Sequence, residues 1–258
     1  MISTFAFILL PLVACFGLCV GSFLNVIIYR IPRDESIVFP GSHCPSCGKS
    51  LRWFHNIPVL SFLFLRGRCQ FCKCSISIRY PLVESITAAL FLFAAYRETQ
   101  LIALPFHFFF LAALICSTAI DLEHWIIPDV ITLPGIVIGL IGSYLIPDRS
   151  LLDAGIGVLV GGGILFAIAW LYTAITKKDG IGGGDIKFLA MVGAFLGAKG
   201  ALETLVLSSF VGSILGVFLI LFRGKGGKTA IPFGPFLSGG AFFAFLFGEA
   251  LWKWYFQI

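Results

Sequence analysis

Six side chains have the types and settings to do chemistry: Asp121 and Asp185, and the thiols of Cys44, Cys47, Cys69 and Cys72. Asp121 follows the near-unbroken apolar run "FFFLAALICSTAI", and Asp185 closes "GIGGGD" before an apolar helix resumes. A carboxylate at the mouth of an apolar span is costly, so each needs a reason. Two carboxylates held together at low dielectric do not both ionise easily. One then takes a proton from water as general base while the other gives a proton to a leaving group. Hydrolysis of a peptide bond fits that chemistry. Glycines 182–184 permit close backbone approach, which would let Asp185 turn inward beneath the headgroups. A second reading stands for each residue. Asp185 would be the N-cap of its helix. Asp121 would be a boundary residue whose charge opposes the helix dipole.

The cysteines form two C-x-x-C pairs, "CPSC" and "CQFC", separated by 21 residues. Each pair makes a tight knuckle that presents two thiolates, and two knuckles close a tetrahedral Zn²⁺ site like that of a zinc ribbon. A closed four-thiolate site is structural, since it leaves no open position for a substrate. The loop is too short to bury a good core, and a metal substitutes for one. Redox pairs are the competing reading, disfavoured in a reducing compartment. Cys74 is a fifth nearby thiol that competes as a ligand. Cys15, Cys19 and Cys116 fall inside apolar spans and read as small hydrophobes.

The elements that must position these groups are membrane helices. Of 258 residues, 59% are hydrophobic and 12% charged, and the mean hydropathy is +1.00. The expected fold is an all-α polytopic membrane protein of about eight transmembrane helices, at 3–29, 81–97, 101–120, 128–146, 151–175, 186–198, 201–222 and 231–255. The sixth is too short to cross ~30 Å of hydrocarbon upright. The expected divisions are a first transmembrane helix (1–29), a cytoplasmic zinc-binding loop domain (30–80), and a seven-helix transmembrane aspartic peptidase domain (81–258). The N-terminus has no basic segment and reads as a retained span rather than a cleaved signal.

Basic residues alternate between loops. Eight lie in loop 30–80, three more are Lys177, Lys178 and Lys187, and three are Arg223, Lys225 and Lys228. Arg97, Arg149, Lys199 and Lys253 make up the rest. The positive-inside rule then puts loop 30–80, "DLEHWIIPD" (121–129) and "KKDGIGGGD" (177–185) in the cytoplasm and both termini outside. Topology accounts for the net charge of +5, so no nucleic-acid partner follows from it. Asp129 reads as a cap of the fourth span. Glu84 is a partner for Arg79, Asn25 bonds across helices, and Lys187 snorkels or tunes Asp185. The four histidines show no ligand spacing.

A transporter using the aspartates as a proton relay would carry them near mid-membrane in repeated halves, and no repeat is present. A membrane-anchored zinc-ribbon docking protein would tolerate asparagine at both positions.

Together with these sites, "GSFLNVIIYRIP" (21–32), "NIPVLSFLFLRGRC" (56–69), "RYPLVES" (79–85), "DLEHWIIPD" and "GGGDIKFLA" (182–190) resemble the type IV prepilin peptidases of pilus and type II secretion systems. The pieces occur in the family's order and cover most of the chain. The resemblance implies a GxGD aspartic protease of the bacterial inner membrane. Its catalytic aspartates fall on Asp121 and Asp185 and its zinc cysteines on Cys44, Cys47, Cys69 and Cys72. It also implies prepilin or pseudopilin substrates cut after a glycine that ends a basic leader. The new N-terminus is then methylated with S-adenosylmethionine. The chain shows no nucleotide-binding pattern, and His55 stands where the family often has an acidic residue before "NIP".

Overall fold

The computed structural model describes residues 4–178, 180, 182–223 and 231–256. Residues 1–3, 179, 181, 224–230 (with Lys225 and Lys228 of the expected basic loop) and 257–258 lie outside the described residues. Two compact units form, Met1–Cys116 and Ser117–Ile258.

The first unit is built on α1 (Thr4–Arg30), a short α2 (Leu60–Phe64) and α3 (Arg79–Arg97), and it takes in the beginning of α4 (Leu104–His124). α1 packs along α3 because Gly17 and Gly21 leave no room for a side chain: a Cβ at Gly21 would sit 2.6 Å from the Glu84 Cα. Small residues of this kind let membrane helices approach closely. Asn25 is almost fully buried and donates to the Tyr80 carbonyl at 3.1 Å, the cross-helix bond expected of it. Glu84 is buried too, and its Oε2 accepts the Val59 N–H at 2.7 Å. Val59 has φ 59° and ψ −49°, and Leu60 N–H closes onto the Pro58 carbonyl. That is a γ-turn of the rarer, strained hand, and Glu84 is the clamp that holds it.

The second unit contains the end of α4, then α5 (Asp129–Leu145), α6 (Leu151–Thr176), α7 (Gly183–Arg223) and α8 (Gly234–Phe256). α7 is central: α5, α6 and α8 all pack on it. Its first half is the core, with Phe188, Leu189, Met191 and Val192 fully buried. Gly157 of α6 and Gly193 of α7 meet backbone to backbone. The helix breaks at Gly197, where φ 72° and ψ −175° are not helical. The break lies near the end of the expected sixth span, 186–198, just ahead of the expected seventh, 201–222.

Among the described residues, four helical stretches are long and apolar enough to cross a membrane: Leu9–Arg33, Leu101–His124, Leu151–Thr176 and Gly183–Leu221. Asp129–Leu145 and Gly234–Gly248 are apolar but shorter. Among the described residues the architecture is all-helical, with isolated β-bridges only in the cysteine loop.

Candidate functional site: a carboxylate pair and a thiol cluster

In the second unit, α4 carries Asp121 in its last turns, and the helix ends when Trp125 turns to φ 62°. Asp121 is 5% exposed. Its Oδ2 accepts the Gly234 N–H at 2.8 Å, at the start of α8. A Cβ at position 234 would lie 2.7 Å from that oxygen, so only glycine lets the α8 N-terminus close on the carboxylate. Pattern reasoning missed Gly234, which is 113 residues away; the signal was the Gly–Pro pair in "PFGPF" opening an apolar run.

Asp185 sits in the first turn of α7, not at its cap position. Its N–H donates to the Gly182 carbonyl at 3.1 Å, and its Oδ2 lies beside Gly182, 3.2 Å from where a Cβ would stand. Asp185 is therefore a first-turn residue of α7 rather than its N-cap. Asp121 acts on it electrostatically. Gly184 lies against Ile127, where a Cβ would be 3.1 Å from both the Ile127 Cβ and its carbonyl oxygen. This is the close approach that the glycine run was expected to permit.

Pro128, without a side-chain cap, precedes α5; Asp129 is its first residue and does not cap it. The Asp129 carboxylate takes both contacts of Lys187 Nζ, at 2.6 and 2.8 Å, joining the starts of α5 and α7. Both side chains are about half exposed, so the pair orients more than it stabilises.

In the first unit, the Sγ atoms of Cys44, Cys47, Cys69 and Cys72 lie within 4.8 Å of one another. Two matching knuckles bring them there. Cys44 N–H donates to the Lys49 carbonyl at 3.0 Å and Gly48 N–H to the Cys44 carbonyl at 2.8 Å. In the second knuckle, Cys69 N–H donates to the Cys74 carbonyl at 2.8 Å and Lys73 N–H to the Cys69 carbonyl at 3.1 Å. The bridges His43–Ser50 and Arg68–Ser75 close them. Gly48 and Lys73 occupy the same left-handed position, φ 68° and 60°.

The thiols conflict. Burial raises Cys44, but the Cys47 and Ser46 N–H groups and neighbouring thiols draw it down to about 6. The Lys49 N–H pulls Cys47 down, yet burial and the Cys44 and Cys72 sulfurs push it up to about 11. The protein's own donors thus accommodate some thiolates and not four. A dication resolves the conflict, because it lets every thiol ionise. The donor set fits Zn²⁺.

The model described as "Bacterial Peptidase A24 N-terminal domain" matches residues 15–98, and that described as "Type IV leader peptidase family" matches residues 108–217. A prepilin leader peptidase/N-methyltransferase of Pseudomonas putida is 38% identical over 269 residues, covering 94% of this chain and 92% of the relative. One of Aeromonas salmonicida (strain A449) is 37% identical over 273 residues, covering 95% and 92%. One of Myxococcus xanthus is 39% identical over 221 residues, covering 84% and 66%. No solved structure matches. The carboxylate pair and the thiol knuckles lie within these matched stretches, and the chain belongs to the type IV leader peptidase family.

Proposed function

We propose that this protein is a membrane aspartic endopeptidase that removes the basic leader of type IV prepilins or pseudopilins and methylates the new N-terminus. The observation that carries the reading is the buried Asp121 carboxylate, held by the Gly234 N–H and acting on Asp185. Asp121 and Asp185 share a proton across a water. The water loses its proton to the ionised carboxylate and attacks the carbonyl of the glycine at the cleavage site. The protonated carboxylate then donates to the departing amide nitrogen. The Gly234 N–H keeps one Asp121 oxygen occupied and turns the other toward the reaction. The competing reading, a proton relay for transport, gains nothing from that backbone donor.

Eight crossings serve this chemistry: α1, α3, α4, α5, α6, the two halves of α7, and α8. Functionally the chain divides into 1–29, 30–80 and 81–258. The protein spans the bacterial inner membrane, with the aspartates and cysteine loop at the cytoplasmic face and both termini outside. Basic residues in loop 30–80 support that orientation. Cys44, Cys47, Cys69 and Cys72 would hold one structural Zn²⁺, which ties the two knuckles together. S-adenosylmethionine supplies the methyl group for the second reaction. A cavity of about 370 Å³ in the first unit, lined by Ser22, Phe23, Arg30, Val38, Ser42 and Asn56, has the size and mixed polarity of a site for such a molecule. Arg30 lends that wall rigidity, since its guanidinium donates to the Ser36, Pro40 and Gly41 carbonyls.

The test incubates purified protein with a prepilin, with and without S-adenosylmethionine, and reads product masses. Leader loss in both samples, with one added methyl group only where the donor is present, is the expected result. An uncut prepilin refutes the peptidase.

Gly234→Ala separates positioning from chemistry. Its methyl group displaces the Asp121 carboxylate, and misplacement on this scale costs on the order of 10²-fold in rate. Cleavage kinetics beside Asp121→Asn check this: the alanine variant is impaired but measurable. Lys73→Gly acts on the other site. It relieves a left-handed backbone cost of about 1 kcal/mol, so zinc affinity in chelator competition rises by roughly fivefold.

A further inference from the structure

The second knuckle holds one thiol more than a tetrahedral site uses. Cys74 Sγ lies 3.3 Å from Cys72 Sγ and 3.7 Å from Cys44 Sγ, and those two are themselves 3.8 Å apart. Zinc–sulfur bonds of about 2.3 Å place the sulfurs of a four-thiolate tetrahedron roughly 3.8 Å from one another. Cys74 therefore stands at ligand spacing from two members of the cluster. The two knuckles are not equivalent here. The residue in the matching place of the first is Lys49, whose ammonium lies over the Phe71 ring.

Exposure picks the ligand that Cys74 backs up. Cys44 and Cys69 are buried and Cys47 is half-buried, but Cys72 is exposed. An exposed thiol is the one most readily lost to water, alkylation or oxidation. Cys74 is half-buried, and of its two sulfur contacts the shorter is to Cys72. Its backbone is already pinned, because its carbonyl accepts the Cys69 N–H that closes the knuckle.

We propose that Cys74 is a reserve ligand, which takes the fourth position on the metal when Cys72 leaves it. The inference rests on the reading of the cluster as a zinc site. Cys72 and Cys74 are alternatives at one corner; Cys44, Cys47 and Cys69 are common to both arrangements. Loop 30–80 thereby keeps its metal when its most exposed ligand is modified.

The experiment measures zinc per chain, and affinity by chelator competition, on purified full-length protein. Cys74→Ser should match the wild type. Cys72→Ser should still hold one zinc, with affinity within about tenfold, because three common ligands remain and a fourth is at hand. The Cys72→Ser/Cys74→Ser double variant should be weaker by more than about a hundredfold. Cys69→Ser should fall as far as the double variant although Cys74 is intact, since Cys74 stands beside Cys44 and Cys72. Zinc loss in Cys72→Ser as complete as in the double variant overturns the proposal. A wild-type protein that holds no zinc overturns the metal site itself, so the two failures are distinct.

Discussion

Asp185→Asn abolishes leader cleavage while the protein remains inserted and keeps its zinc. Asparagine preserves the shape of the side chain, and the backbone bond from residue 185 N–H to the Gly182 carbonyl is untouched, so the start of α7 survives. It can neither hold the shared proton nor release it. Removing one member of a catalytic unit costs about 10⁴-fold or more, and removing the second adds little. Asp121→Asn therefore gives the same loss, and the double variant is no slower than either single one. The measurement is the rate of leader removal from a prepilin in detergent, beside the amount of protein extracted from membranes. Normal processing by either variant would sink the assignment. Asp129→Asn is the control. It breaks the Lys187 pair at the same end of α7, and cleavage should change by no more than the small worth of an exposed ion pair.

Much of this was legible before any coordinates. Asp121 and Asp185 stood out because each interrupts apolar sequence, and a charge there is expensive enough to mark itself. The cysteines stood out because C-x-x-C spacing is a local geometric property, and both knuckles formed. What stayed hidden was pairing across the chain. Nothing local links Gly234 to Asp121, Val59 to Glu84, or Lys187 to Asp129, because each is a contact that only the packed helices create. The role of Asp129 was misread for the same reason: position beside Pro128 suggested a cap, and an ion pair to a helix 58 residues on claimed the carboxylate. The break in α7 was visible as two spans, but not as a glycine with φ 72°, since "FLGAKGAL" carries no proline or polar run. Counting crossings by length also has a physical limit. α3 contains a buried glutamate that serves the loop above it, and α5 has only 17 residues.

Loss of the metal should dismantle loop 30–80 and leave the second unit folded. Between α1 and α3 the described backbone has only turns, two short 3-10 helices (Ile31–Arg33 and Trp53–Asn56), one five-residue α-helix and two isolated bridges. Such a segment buries too little apolar surface to offset its ordering entropy. A structural zinc supplies an apparent ~10–16 kcal/mol in small knuckled domains, where metal binding drives folding. Cys44→Ser removes a buried ligand that accepts backbone N–H groups and that both metal arrangements share. Its expected outcome is a chain without zinc whose loop is cut by a soluble protease that spares the wild type. The carboxylate pair depends on α4, α7 and α8, so cleavage should outlast methylation in this variant. The cavity at the end of α1 is walled by loop residues Val38, Ser42 and Asn56, and it loses those walls when the knuckles open. A Cys44→Ser protein that is zinc-free, protease-resistant and fully active in both reactions would show that the loop folds on its own and that its thiols serve another purpose.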